Sequence, residues 1–252
     1  MVVFPNAKIN IGLNVVEKRS DGFHNIESVF YPVMELYDVL DIIKSDQTGV
    51  DFMSTGIEIP SKAGEKNLCE KAFDLLQRDF DISGVKVHLH KVIPIGAGLG
   101  GGSADAAFML KALNELFELN IDTHQLVKYA QQLGSDCAFF IENKPVYAFD
   151  KGDKFQSIDL ELSEYEIKIQ YPEIHISTAE AYAGIVPKHS EYKLKQLIKQ
   201  PIETWKEKIK NDFETSIFPN HPKIEELKAQ MYNNGAKFAS MTGSGSTVFG
   251  IF

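Results

Sequence analysis

Pro94-Ile95-Gly96-Ala97-Gly98-Leu99-Gly100-Gly101-Gly102-Ser103-Ala104 is the stretch whose reading decides the fold. Five of the chain's 18 glycines fall within residues 96–102. Glycine has no Cβ, so such a run reaches φ > 0 easily and brings backbone N–H groups close to a ligand. Before it, Val85, Val87 and Leu89 alternate with Lys86, His88 and His90, which predicts a strand ended by Pro94. After it, Ser103 is the expected N-cap of a helix over 104–116 carrying Ala106, Ala107, Leu110 and Leu113. A glycine turn leading into a helix offers unpaired N–H groups and the positive end of a helix dipole, a combination suited to phosphate.

Common phosphate motifs fit poorly. Gly96 and Gly101 have the Walker A spacing, but Gly102 stands where lysine is required. Gly96, Gly98 and Gly101 match G-x-G-x-x-G, with Glu118 near the expected acidic offset. A Rossmann strand, however, is buried on both faces and reads as a continuous apolar run, whereas this one alternates. A protein-kinase glycine loop joins two strands, and this one opens a helix.

Working outward, Ile9, Ile11, Leu13 and Val15 alternate with Lys8, Asn10 and Asn14, as on a half-buried strand with Lys8 on the solvated face. Further strands are expected at 26–34, 39–43, 50–53, 138–141, 146–149 and 165–171, and in the closing segments 236–240 and 247–252. Helices are expected at 67–80, after a Thr123 cap, after a Ser177–Glu180 capping box, and near 192–199, 202–210 and 222–232. Asp150-Lys151-Gly152-Asp153 reads as a turn and a domain boundary, dividing the chain into 1–150 and 151–252. Alternating strands argue for an α+β fold with antiparallel pairing rather than a parallel βαβ sheet.

Composition bounds the function. Apolar residues make up 44% and charged residues 24%, which excludes disorder, collagen and coiled coil. A net charge of −9 with no basic run argues against nucleic acid as a partner. The longest uncharged stretch, residues 238–252, is too short to span a bilayer, and Pro5 and Lys8 break the only apolar run at the N-terminus. Cys69 and Cys137 form neither a disulfide framework nor a metal spacing, so the cytoplasm is the expected setting.

Three motifs together resemble the GHMP kinases, a superfamily of small-molecule kinases: residues 94–104, Pro5-Asn6-Ala7-Lys8-Ile9-Asn10-Ile11-Gly12-Leu13, and Met241-Thr242-Gly243-Ser244-Gly245-Ser246-Thr247-Val248-Phe249. Lys18-Arg19-Ser20-Asp21-Gly22-Phe23-His24, Ser28-Val29-Phe30, the triple glycine 100–102 and Leu133-Gly134-Ser135-Asp136-Cys137-Ala138-Phe139-Phe140 are similar to one branch. That branch phosphorylates a cytidine diphosphate-linked methylerythritol in the non-mevalonate isoprenoid pathway. The resemblance implies a two-domain fold: a ribosomal protein S5 domain 2-like N-terminal domain, then a ferredoxin-like domain. Because the sequence ends at Phe252, directly after the third motif, the second domain is expected without its last helix and strand.

The resemblance also implies roles. Asp136 would be the base and Lys8 its cationic partner. ATP would lie against Pro94, Ile95, Gly96, Ala97, Gly98, Leu99, Gly100, Gly101, Gly102, Ser103 and Ala104, with Asn67, Leu68 and Lys91 near adenine. Asn10, Phe23, His24, Thr178, Tyr182, Gly243, Ser244 and Gly245 would meet the substrate. At position 23 this chain has Phe where that branch usually has Tyr, which keeps stacking and drops a hydroxyl. Mg²⁺ would be held mainly by the nucleotide, with no ligand set assigned in the protein. The competing expectations are a homoserine- or mevalonate-type kinase, which the triple glycine and Phe23-His24 argue against, and a non-catalytic nucleotide-binding relative, which Lys8 and Asp136 argue against. An NAD-dependent oxidoreductase is the remotest.

Overall fold

Strand-rich sequence gives way to helix in the order the patterning predicts, in a computed structural model that describes residues 1–60 and 64–252. The strands are β1 (Val2–Val3), β2 (Asn6–Lys18), β3 (His24–Tyr37), β4 (Val39–Ser45), β5 (Val50–Gly56), β6 (Gly84–Lys91), β7 (Val146–Phe149), β8 (Lys154–Ser157), β9 (Ile167–Gln170), β10 (Phe238–Met241) and β11 (Val248–Ile251). The helices are α1 (Leu68–Asp79), α2 (Gly101–Leu116), α3 (Thr123–Leu133), α4 (Phe139–Glu142), α5 (Thr178–Ala183), α6 (Leu194–Leu197), α7 (Trp205–Lys208), α8 (Glu214–Ile217) and α9 (Pro222–Asn233).

Two compact units result. The first contains Met1–Ala7, Met34–Ile95 and Gly100–Asn143; the second contains Lys8–Val33, Gly96–Leu99 and Lys144–Phe252. These units are discontinuous in sequence and cut the chain differently from a single boundary at 150. Residues 8–33 join the second unit because β3 pairs with β7, with Ser28 opposite Ala148, and because β2 is bonded to residues 210–212.

In the first unit the sheet order is β1-β4-β6-β5. Leu40 and Ile42 of β4 and Val85, Val87 and Leu89 of β6 are buried, together with Phe73 and Leu76 of α1 and Met109, Leu110 and Leu113 of α2. Each such aliphatic or aromatic side chain contributes about 1.5–3 kcal/mol on leaving water. One expectation is corrected here. The β5–β6 pair is parallel, so β5, α1 and β6 form a βαβ unit within an otherwise antiparallel sheet. The apolar stripe of α1 (Cys69, Ala72, Phe73 and Leu76) gives the crossover a face to bury.

The second unit carries the sheets β2-β3-β7-β8 and β10-β11-β9, the latter antiparallel throughout. Leu13, Val15, Phe213, Ile217, Ile224, Met231, Met241 and Val248 share one core. Strand β2 is not half-buried as its alternation predicts. Lys8, Asn10 and Asn14 are buried along with the apolar face, because the loop after β10 and residues 210–212 cover the polar side.

Local capping also differs. Helix α2 starts at Gly101 behind a left-handed Gly100 with no side-chain cap, so Ser103 lies inside the helix rather than capping it. Asp122, not Thr123, caps α3 by accepting from the Gln125 N–H. Ser177 does cap α5, but the Glu180 carboxylate bonds His221 at 2.7 Å instead of closing a capping box. Where a strand is expected over 138–141, helix α4 forms instead. Four apolar residues in a row read either way, and successive turns from Asp136, Cys137 and Ala138 settle it as helical.

Candidate active site

The glycine loop is built from positive-φ glycines at Gly96 (67°), Gly98 (80°) and Gly100 (73°). Among the described residues, no backbone N–H from 96 to 103 has a protein acceptor, and the helix bonds of α2 begin with Ala104 N–H to the Gly100 carbonyl at 2.9 Å. Unpaired N–H groups at the start of a four-turn helix are the groups that bind an anion. Two glycines are required by contact. A Cβ on Gly98 would lie 2.1 Å from the Thr242 carbonyl oxygen, and one on Gly101 would lie 2.8 Å from Ile93 Cγ2 and 2.9 Å from Lys91 Nζ. Pro94, Ile95 and Ser103 are half-buried, Ala97, Leu99 and Ala104 are buried, and Gly96 and Gly102 are open.

Leu68 stands beside the loop: a Cβ on Gly102 would touch Leu68 Cδ1 at 3.7 Å. Asn67 uses its side chain as the α1 cap, accepting from the Cys69 and Glu70 N–H groups. Lys91 does not face a nucleotide. It is 2% exposed, and its ammonium bonds Asp38 Oδ2 at 2.5 Å and Asp105 Oδ2 at 2.7 Å. The expectation for Lys91 is therefore corrected to an interior role.

Lys8 and Asn10 project from the same face of β2 and meet, Lys8 Nζ donating to Asn10 Oδ1 at 2.6 Å. The Lys8 ammonium also lies 4.8 Å from the centre of the Phe30 ring. Asn10 Nδ2 donates to Ser28 Oγ at 2.9 Å, and the Asn10 N–H donates to Thr242 Oγ1 at 2.9 Å. Through its amide Asn10 holds Lys8 in place and ties β2 to Ser28 and Thr242. Thr242 in turn bonds the Gly98 carbonyl at 3.1 Å, so the first and third motifs touch through Gly98 and Gly243. Asn211 Nδ2 completes this by donating to the carbonyls of Met241 and Gly243, both at 2.8 Å. Gly243 and Gly245 have positive φ, and Ser244 between them is half-buried. Ser28, Thr242 and Asn211 were not singled out from sequence. Each lies inside a motif or beside a turn without a spacing that marks it, and only the folded contacts reveal it.

Asp136 sits half-buried in the turn before α4. Its neighbour Cys137 is buried, and burial pushes that thiol up to about 11, with the Ser103 side chain opposing the rise. The helix that follows the Asp136 turn, α4, packs on α2, the helix that opens from the glycine loop.

Among the expected pyrimidine contacts, His24 and Tyr182 stack at 4.5 Å with 21° between planes, and Tyr182 meets Phe213 edge-on at 4.8 Å. Burial, reinforced by Lys18, lowers the His24 pKa, favouring a neutral imidazole. Phe23 is open to solvent, with the Lys151 ammonium 5.3 Å from its ring. Thr178 is exposed one helical turn before Tyr182, on the same face of α5. This part of the site is a small aromatic wall.

No group of three or more His, Cys, Asp or Glu among the described residues could hold a metal ion, so the described side chains do not build a cage for Mg²⁺. No helix among them is long and apolar enough to cross a membrane.

Comparison with known proteins fits this geometry. Residues 67–144 match the GHMP kinases N terminal domain, and residues 194–252 match the GHMP kinases C terminal domain. A 4-diphosphocytidyl-2-C-methyl-D-erythritol kinase of Bacteroides thetaiotaomicron is 52% identical over all of this chain and 92% of its own length. The kinase of that name from Cytophaga hutchinsonii is 49% identical over all of this chain and 92% of its own length. A crystal structure of a 4-(cytidine 5'-diphospho)-2C-methyl-D-erythritol kinase superposes with a TM-score of 0.84 at 29% identity, covering all of this chain and 90% of that one. A Methanococcus jannaschii mevalonate kinase shares the fold at a TM-score of 0.73 and 15% identity, covering all of this chain and 90% of that one. Phosphate-ready glycines, the Lys8–Asn10–Thr242 network and full-length identity near one half thus agree: the chain belongs to the 4-diphosphocytidyl-2-C-methyl-D-erythritol kinase family of the GHMP kinases.

Proposed function

We propose that this protein transfers the γ-phosphoryl group of ATP to the 2-hydroxyl of 4-diphosphocytidyl-2-C-methyl-D-erythritol, a step of non-mevalonate isoprenoid synthesis. The observation that carries the reading is the unpaired N–H run of residues 96–103 at the start of α2, found in a chain of this kinase family. Phosphoryl transfer needs alignment and charge stabilisation more than covalent chemistry. The N–H run holds the phosphates, and the Thr242–Gly245 turn braces the loop at Gly98 and contributes to the substrate site. Lys8, fixed by Asn10, supplies positive charge where negative charge develops. Asp136 takes the proton of the attacking hydroxyl. Phe23, His24, Thr178 and Tyr182 form the cytidine side of the site, where the His24–Tyr182 stack and the exposed Phe23 ring suit a flat base.

Mg²⁺ would be held mainly by the nucleotide phosphates and water. The two matched segments, 67–144 and 194–252, lie on either side of the proposed boundary at 150, while residues 8–33 and 96–99 pack with the second unit. Two buried free thiols, Cys69 and Cys137, suit a reducing cytoplasm.

The test is ADP release with three acceptors: the diphosphocytidyl methylerythritol, mevalonate and homoserine. Turnover is expected only with the first. Equal turnover on another acceptor, or none on any of the three, overturns the proposal.

A further inference from the structure

Lys91, corrected above to an interior position, belongs to a charge cluster with a specific geometry. Asp38 Oδ1 accepts from the Val92 N–H at 2.6 Å and the Ile93 N–H at 2.9 Å, the two residues just before Pro94. Its other oxygen accepts from Lys91 Nζ, and the same ammonium reaches Asp105 on α2. Asp38, Lys91 and Asp105 are 0%, 2% and 4% exposed. Asp105 Oδ1 is buried with no hydrogen-bond partner among the described residues. Gly101 lies directly against this ammonium, with no room for a Cβ.

We propose that Asp38, Lys91 and Asp105 are positioning residues that clamp the glycine-rich phosphate loop at both ends, holding its N–H groups in the arrangement that binds ATP. This rests on the reading of residues 96–103 as the phosphate site. The strand end of the loop is held through the Val92 and Ile93 N–H groups, the helix end through Asp105 and the seat of Gly101, and one cation joins the two. A glycine run has little conformational preference of its own, so its geometry must be imposed from its flanks. The cluster is a poor device for stability alone. Two carboxylates and one ammonium in a dry interior carry a net negative charge, and apolar side chains of the same volume serve a core at least as well.

The cluster also distinguishes its two acids. Burial pushes the Asp105 carboxyl up to about 7, with Lys91 opposing and Asp38 adding to the rise. On Lys91, burial works downward but the two carboxylates outweigh it, and its pKa is raised. The remaining titratable neighbour is the Cys69 thiol of α1, which burial pushes far up and so keeps neutral. Asp105 is therefore the member that tolerates neutralisation. An asparagine there still accepts from Lys91 and turns its NH₂ toward Asp38. An asparagine at 38 cannot serve the two N–H groups and the ammonium together.

The experiment measures ATP binding by calorimetry and steady-state KM and kcat on the full chain, with circular dichroism melts to confirm folding. Asp38→Asn and Asp105→Leu are expected to weaken ATP binding and raise its KM by about 10-fold or more, leaving the acceptor KM and saturating kcat within about 2-fold. Asp105→Asn is expected to stay within about 2-fold of the unaltered protein in every parameter. Unchanged ATP affinity in folded Asp38→Asn and Asp105→Leu, or an equal rise in both substrates' KM, overturns the clamp. If Asp38→Asn does not fold, Asp105→Leu, close in volume, decides the matter alone. Failure of the unaltered chain to bind ATP at all would instead remove the phosphate-site reading, and the clamp with it.

Discussion

At the scale of single residues, buried polar groups carry the function. Lys8 reads from sequence as an ordinary solvated lysine on an alternating strand, yet it is 3% exposed and held by Asn10. A buried ammonium is costly unless partnered, so its place in the interior points to chemistry rather than solubility. Asp136 differs in kind, half-buried in a turn beside the buried Cys137. Asp136→Asn keeps the shape and removes the proposed base, so kcat is expected to fall by at least about 100-fold with ATP affinity unchanged. Near-normal turnover in that variant, measured by ADP release, would take Asp136 out of the chemistry.

At the scale of elements, the site depends on loops meeting backbone to backbone. The Gly98 loop and the Thr242–Gly245 turn approach so closely that a methyl group on Gly98 would lie 2.1 Å from a carbonyl oxygen. Its φ of 80° adds strain for any other residue. Gly98→Ala is therefore expected to displace the loop and abolish measurable ATP binding. Gly102→Ala, whose Cβ would make only an ordinary 3.7 Å contact with Leu68 and whose residue lies in α2, should retain it. Equal binding by both variants in a nucleotide titration would show that close packing at Gly98 does not govern the loop.

At the scale of the whole molecule, a net charge of −9 looks unsuited to two anionic substrates. The contradiction eases if the proposed phosphate site is the backbone N–H groups and helix start of residues 96–103, which add no net charge. Screening by salt acts mainly on exposed charges separated by more than a Debye length. ATP affinity is accordingly expected to change by less than about 3-fold between low and moderate salt, at constant Mg²⁺. A steep salt dependence in the same titration would point to a broad basic surface instead.

Much of this was legible in the sequence because it is written in local patterns. Glycines crowded before a helix, alternation in β6 and an apolar stripe in α1 follow from the geometry of two or three turns of chain. The strand order, the parallel β5–β6 pair and the assembly of residues 8–33 with residues 144–252 were not, because they join segments far apart in sequence. Asn10 and Lys91 show the limit most sharply. The strand pattern puts Asn10 beside Lys8 and the resemblance puts Lys91 near adenine, and only folding brings Ser28 and Thr242 to the one and Asp38 and Asp105 to the other. The sequence by itself determined the glycine loop before a helix, the family and the α+β class. The tertiary structure alone decided which polar groups meet one another, since a buried charge finds its partner through space and not along the chain.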